Sequence, residues 1–315
     1  GKIWELADPV VAPAYTAGLD GQPNELKLKY LADNDFAGLS GDELKKAIES
    51  GFDLKKIVYA GVGKKDKELK YAIEQEILAI NVESLEELFL LDRLSGEMGK
   101  VTEVALRVNP DIDPKTNHCI DTGQADSKFG ISYEEILEHA EELKKLQNLK
   151  LIGIHLHIGS QIRELHVFEN MCNKVNVIVE NMERLGFSFR FVDVGGGLGV
   201  NYDVPENEPI PNFASLFAII HNHLSVGDRE VHFEFGRAIV AECGELITSV
   251  LFNKTTATGR RLVIVDASMT ELIRPALYGS YHNIENITSE SDIMTKYTVV
   301  GTACESTDVF QENVS

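Results

Sequence analysis

Short apolar runs alternate with helix-spaced segments along most of the chain. The runs Phe36–Leu39, Ile57–Ala60, Leu78–Val82, Glu103–Val108, Leu151–Ile158, Arg190–Val194 and Glu230–Phe233 read as strands. Their nearly continuous apolar character fits parallel strands buried on both faces. Three helix starts are marked by a serine with a glutamate three residues on: Ser40 with Glu43, Ser84 with Glu87, and Ser132 with Glu135. In such a capping box the serine oxygen takes a free helix N–H and the glutamate reaches back. A further run, Ile57–Ala60, leads through Gly61-Val62-Gly63 into the helical stretch Glu68–Glu76. Strand then helix, repeated, gives a parallel sheet with helical crossovers. Seven strands before residue 235 are one short of a (β/α)8 barrel, and pattern alone also allows an open doubly wound sheet.

Past Arg237 the pattern changes. Ala238–Leu251, Arg261–Asp266 and Tyr297–Val300 read as β-like, with Lys254–Arg260 as a Thr/Gly turn and no regular helices between them. The expected organisation is a barrel domain over 1–236 followed by a mainly β domain over 237–315, the latter short of strands.

Composition narrows the classes of partner. The 315 residues are 43% hydrophobic and 25% charged, as in globular chains. Fifty acidic against 30 basic residues give a net charge of −20, which repels a nucleic-acid backbone or an anionic membrane. Cysteines 119, 172, 243 and 304 form no CxxC pair, which fits a reducing cytoplasm.

Chemistry-bearing residues gather where strands end. Gly195-Gly196-Gly197 comes directly after Val192-Asp193-Val194. Backbone without Cβ can approach a phosphate, or simply make a tight turn. His155 and His157, two apart, share one face of a strand that runs into Gly159-Ser160. They read as a metal-binding pair, as in barrel hydrolases, as an imidazole packed on a cofactor ring, or as core histidines. Glu234-Phe235-Gly236-Arg237 offers a carboxylate for a pyridine nitrogen and a guanidinium for an anion, or a structural ion pair. Arg274, Tyr278, Cys304 and Glu305 come later, in the second domain. A cysteine can donate a proton and an arginine can bind a carboxylate, although Cys304 could equally be a small core residue.

Taken in order, Thr122–Ile131, Gly153–Gln161, Val192–Val200, Glu234–Arg237, Val265–His282 and Val300–Val309 carry a resemblance. The chain resembles the fold-type III pyridoxal-phosphate decarboxylases, whose members act on diaminopimelate, ornithine or arginine. The resemblance implies an alanine racemase-like architecture, a (β/α)8 barrel followed by a β domain. It also implies pyridoxal 5'-phosphate as cofactor, an amino-acid substrate and a homodimer with shared sites. By the same resemblance His157 would stack on the cofactor ring. Ser160, Gly195, Gly196, Gly197 and the run Glu234, Phe235, Gly236, Arg237 would hold the cofactor, with Glu234 at the ring nitrogen. Arg237, Arg274, Tyr278 and Glu305 would meet the substrate, and Cys304 from the partner subunit would return the proton. The Cys-Glu-Ser and Ile-Arg-Pro stretches point to conversion of meso-2,6-diaminopimelate to L-lysine and CO2.

The family pattern is also departed from. Phe235 and Thr302 stand where proline is usual. Pro13–Tyr15 resembles the entry to the strand bearing the cofactor lysine, and Pro23–Leu26 resembles the segment after that strand, yet Thr16–Gln22 between them holds no lysine. The expectation is a sequence that is part of a longer enzyme; the alternatives are a shortened, catalytically impaired homologue that binds a partner, and a metal-dependent hydrolase on His155 and His157.

Overall fold

A computed structural model describes residues 36–39, 41–112, 127–207, 210–241, 243–289 and 295–314. They form two compact units. One runs up to Gly199 and takes in Ile210–Cys243; the other comprises Val200–Pro209 and Gly244–Ser315. The lysine-motif stretch 13–26, Ser40 and residues 122–126 of the Thr122–Ile131 motif lie outside the described residues.

The first unit begins β1 (Phe36–Leu39), α1 (Gly41–Glu49), β2 (Ile57–Tyr59), α2 (Asp66–Gln75), β3 (Ala79–Val82), α3 (Leu85–Glu97) and β4 (Thr102–Asn109). It continues β5 (Ile131–Ser132), α4 (Tyr133–Glu138), α5 (Ala140–Leu143), β6 (Leu149–His155), α6 (His166–Arg184), β7 (Phe191–Asp193), α7 (Phe213–His223), β8 (Glu230–His232) and α8 (Arg237–Val240). The strands pair in parallel in the order β1-β2-β3-β4-β6-β7-β8, with β5 added beside the end of β4. This is a curled, incomplete parallel barrel, and all seven sequence-read strands are in it.

The strand period explains how the sheet has two different faces. Ile80, Val82, Val104, Leu106, Ile154 and Val192 face the helices and join the main core with Leu69, Leu88, Leu91 and the buried stripe of α6, from Val167 to Met182. Ala79, Ala105 and Phe191, at the alternate positions, make a separate small cluster with Ile152, which joins them where the β4–β6 register shifts. Gly153 belongs to that layer, because a Cβ there would meet the Phe191 ring. The next inward positions along the same strands are polar: Asn81, Arg107, His155 and Asp193, all buried.

Helix starts follow the serine rule in part. Ser84 Oγ accepts the Glu87 N–H at 3.1 Å and Ser132 Oγ accepts the Glu135 N–H at 3.2 Å. The return half at the first of these differs: the Glu87 carboxylate accepts the Glu83 N–H at 2.9 Å and takes Lys64 at 2.6 Å. A buried ammonium in reach outcompetes the local box.

The second unit is a four-stranded sheet ordered β12-β11-β10-β9, with β9 (Val250–Thr255), β10 (Arg261–Val265), β11 (Tyr297–Val300) and β12 (Val309–Val314). The β10–β11 pair is parallel and the outer pairs antiparallel. Its core is Val265, Ala267, Val299 and Phe310. A short helix, α9 (Arg274–Tyr278), stops at Gly279 with φ 61°.

Two expectations need correction here. Ala238–Leu251 is not β-like throughout: residues 237–240 form the helical turn α8, and β9 starts only at Val250. A short apolar run carries no decisive period, and local i→i+4 bonding, Ala241 N–H to the Arg237 carbonyl at 2.9 Å, takes the first part. The turn is shorter than Lys254–Arg260, because β9 continues to Thr255 and Gly259 (φ 85°) makes the reversal. No helix among the described residues is long and apolar enough to cross a membrane.

Candidate active site

The barrel unit gathers its polar side chains at the C-terminal ends of its strands. His155 is the last residue of β6 and pairs across the sheet with Arg107 of β4 and Asp193 of β7. Beyond β8, Glu234 arrives through its N–H, which donates to the Gly195 carbonyl at 2.9 Å. His155 Nε2 lies 3.3 Å from Glu234 Oε2, and the histidine side chain is 1% exposed against 14% for the glutamate. His155, Asp193 and Glu234 each bring an atom within 4.8 Å of the others. His155 Nδ1, Asp193 Oδ2 and Glu234 Oε1 are buried with no hydrogen-bond partner among the described residues.

The electrostatics reflect that crowding. Burial works against a charged Glu234, but the His155 imidazole and its hydrogen bond outweigh it and hold the carboxylate well below the usual range. Burial and the nearby Glu234 charge push Asp193 up to about 7. Burial lowers His155, yet the Glu234 charge and hydrogen bond prevail and leave it raised. For His157 burial wins over the more distant carboxylates and pushes it down to about 4. Its ring is therefore neutral at pH 7, and the Gly196 N–H donates to Nδ1 at 3.2 Å, which assigns the remaining proton to Nε2.

The glycine triplet is required by close backbone approach. A Cβ at Gly195 (φ 67°) would strike the Leu156 carbonyl oxygen, one at Gly196 the Glu234 carbonyl oxygen, and one at Gly197 (φ 103°) the Gly159 carbonyl oxygen. Two of its amides also fix side chains: the Gly195 N–H donates to Asp193 Oδ1 at 2.9 Å, and Gly196 serves His157. Ser160 Oγ accepts Arg237 Nε at 3.1 Å, so these two sequence-predicted residues meet. Phe235 turns its ring to Phe213 and Phe233, with centroids 5.2 Å away in each case, so that side chain serves the core.

The metal-pair reading is corrected in its membership. His155 does share a ligand-capable cluster, but with Asp193 and Glu234, while His157 is oriented by Gly196. The separation arises at Leu156, where the chain leaves β6 and the strict two-residue alternation ends.

Sequence reading missed a second layer beside these residues. Glu83 accepts Arg107 Nη1 at 2.7 Å and the amides of Gly61 and Gly130 at 3.2 and 3.0 Å. Arg107 also lies 4.6 Å from the centre of the Phe129 ring. Lys64 Nζ donates to the carbonyls of Gly61 and Asn81 at 2.8 and 2.6 Å. The signal was present: a charged residue inside an apolar strand, as in Glu103–Val108, must be paired.

In the β-rich unit Arg274 stands 4.9 Å over the Tyr202 ring and 3.1 Å from His282 Nε2. Tyr278 ends the same short helix. Cys304 and Glu305 sit on an exposed loop. Buried Asp308 shapes that loop by accepting the Ala303 and Met269 amides at 2.8 and 2.7 Å.

A partial parallel barrel with an ionised carboxylate and a neutral imidazole at its mouth matches one family across most of its length. Residues 25–241 fit the pyridoxal-binding domain of the pyridoxal-dependent decarboxylases, and the chain belongs to that family. Among curated proteins it is 43% identical over 273 residues to the diaminopimelate decarboxylase of Bacteroides thetaiotaomicron, covering 86% of this chain and 70% of the relative. It is 40% identical over 270 residues to that of Aquifex aeolicus, covering 86% and 64%. Among solved structures, diaminopimelate decarboxylase from Helicobacter pylori complexed with L-lysine superposes with a TM-score of 0.85 at 38% identity, covering 92% of this chain and 72% of that one. The chain thus spans about two thirds of the length of the relatives it matches.

Proposed function

We propose that the protein decarboxylates meso-2,6-diaminopimelate to L-lysine and CO2, with pyridoxal 5'-phosphate as cofactor. Glu234 carries the reading: it is ionised, shielded from water, and has one oxygen, Oε1, with no hydrogen-bond partner among the described residues. Such an oxygen suits a ring N–H, so the residues present fit the cofactor. When bound, the cofactor supplies a protonated pyridine ring that accepts the electron pair released as CO2 leaves.

The chain's residues then divide the work. Glu234 keeps the ring-nitrogen proton in place by hydrogen bonding to it. His157, neutral and fixed by Gly196, offers a flat uncharged face to the ring. Ser160, the glycine-triplet backbone and the Gly236–Arg237 turn hold the phosphate, with Arg237 also reaching towards substrate. Arg274 grips the carboxylate that is retained, because a planar fork of donors that stays charged suits it. Tyr278 and Glu305 complete the substrate contacts, and Cys304 delivers the proton to the carbon that loses CO2.

The working unit is a homodimer with sites shared between protomers. Supporting this, Cys304 is exposed, and Ile247, Val250 and Phe252 leave 76%, 55% and 67% of their surface open along β9 and the approach to it. Apolar edges of this kind are normally covered.

A CO2-release assay across a panel of diamino acids tests the substrate; inactivity towards meso-diaminopimelate alone among them refutes it. Arg274→Ala should lower kcat/KM by about tenfold to hundredfold, as expected for losing a hydrogen bond to a charged group, with cofactor affinity intact. Mixing His157→Ala with Cys304→Ala protein should restore activity if each site pairs His157 with the partner's Cys304. No recovery despite subunit exchange rejects the shared site.

A further inference from the structure

Glu234 lies beyond the end of β8, on chain that has left the sheet, and its carboxylate turns on a flexible stem. Alone, such a group has little to fix it. Asp193 is nearby, and burial together with the repulsion between two carboxylates at this range raises the Asp193 pKa and leaves the charge on Glu234. His155 is differently placed. It is the last residue of β6, locked in register on both sides by Arg107 and Asp193, and 1% exposed. Its Nε2 is bonded to Glu234 Oε2 at 3.3 Å, which leaves Oε1 as the unpartnered oxygen. Asp193 is anchored from the other side by the Gly195 N–H at 2.9 Å.

We propose that His155 is a positioning residue for Glu234: a strand-borne imidazole that pins one carboxylate oxygen through Nε2–H and so presents the other to the cofactor's ring nitrogen. This rests on the reading that Glu234 meets that nitrogen. His155 itself touches neither cofactor nor substrate. It selects for a ligand with an N–H at that place, so it acts on discrimination and not on affinity in general.

The test compares equilibrium dissociation constants of pyridoxal 5'-phosphate and its 1-deaza analogue, in which a C–H replaces the ring nitrogen. The wild-type protein should favour the natural cofactor by about tenfold or more, the scale of a hydrogen bond to a charged group. His155→Asn carries its amide at the Nδ1 position and His155→Gln at the Nε2 position. The preference should collapse to below about threefold in His155→Asn and stay near the wild-type value in His155→Gln. Glu234→Gln marks the floor. Equal weakening of both ligands in His155→Asn, with the preference kept, overturns the proposal and leaves His155 a packing residue. A wild-type preference near unity, unchanged by Glu234→Gln, overturns the Glu234 reading instead. Should His155→Asn fail to fold, His155→Leu takes its place, with ligand-free thermal unfolding confirming that each variant is native.

Discussion

The two units of this protein handle charge in opposite ways. In the barrel, Arg107 and Glu83 form a pair with side chains 8% and 3% exposed, and His155, Asp193 and Glu234 crowd together behind it. In the β-rich unit the corresponding pair, Arg260 with Glu312, is 48% and 62% exposed, and Cys304 and Glu305 lie on an open loop. The barrel unit assembles its candidate site from within itself. The β-rich unit carries its candidate residues Cys304 and Glu305 at the surface. The buried charges of the first find partners at neighbouring strand ends, as Arg107 finds Glu83 and His155 finds Glu234, whereas Arg260 and Glu312 of the second meet at its surface.

The largest expected effect breaks this contrast directly. Arg107→Ala strands a buried carboxylate and should cost about 3–5 kcal/mol in urea unfolding, whereas Arg260→Ala should cost under about 1 kcal/mol. Equal losses would remove the distinction. A smaller effect separates two glycines of the barrel. Gly196→Ala drives a Cβ into the Glu234 carbonyl and should destabilise by about 1–3 kcal/mol, while Gly236→Ala meets nothing within 4 Å and should be nearly neutral.

The smallest effect is a slope against pH. Asp193 holds its proton in the folded protein up to about 7 but in the unfolded chain only to the ordinary carboxylate range, so its contribution falls as pH rises through that window. His157, depressed to about 4, has the reverse effect: the unfolded chain binds the proton first, and stability rises from about pH 4 to 6.5. The two oppose each other in the native sequence. In Asp193→Asn the rising limb stands alone, and stability should climb more steeply between about pH 4.5 and 6.5 than in wild type. A parallel profile would show that Asp193 does not retain its proton.

Much of the barrel was legible because its strands are short, nearly continuous apolar runs and its serine caps stand where helices begin. The β-rich unit was less so, since Ala238–Leu251 has no decisive period and one turn of helix forms where a strand was expected. Within the site, His157, Ser160, Glu234 and Arg237 stand out by type and by their place at strand ends. Asn81, Arg107 and Asp193 hide inside apolar runs; only their alternation with Ala79, Ala105 and Phe191 exposes them, and that alternation gains meaning once the sheet curls and acquires an inside. The partnership of Ser160 with Arg237 spans 77 residues and has no local signature.

The Lys64 ammonium has a consequence for motion. It holds the Gly61 and Asn81 carbonyls and the Glu87 carboxylate together, while Glu83 takes the Gly61 and Gly130 amides and Glu87 takes the Glu83 amide. The chain just past β2, just past β3 and just before β5 is therefore tied to one buried charge cluster. None of these segments can swing open without stripping a partner from the others, so the amides of Gly61, Glu83 and Gly130 should exchange with solvent deuterium through one shared opening event, with one common opening free energy once each intrinsic exchange rate is divided out.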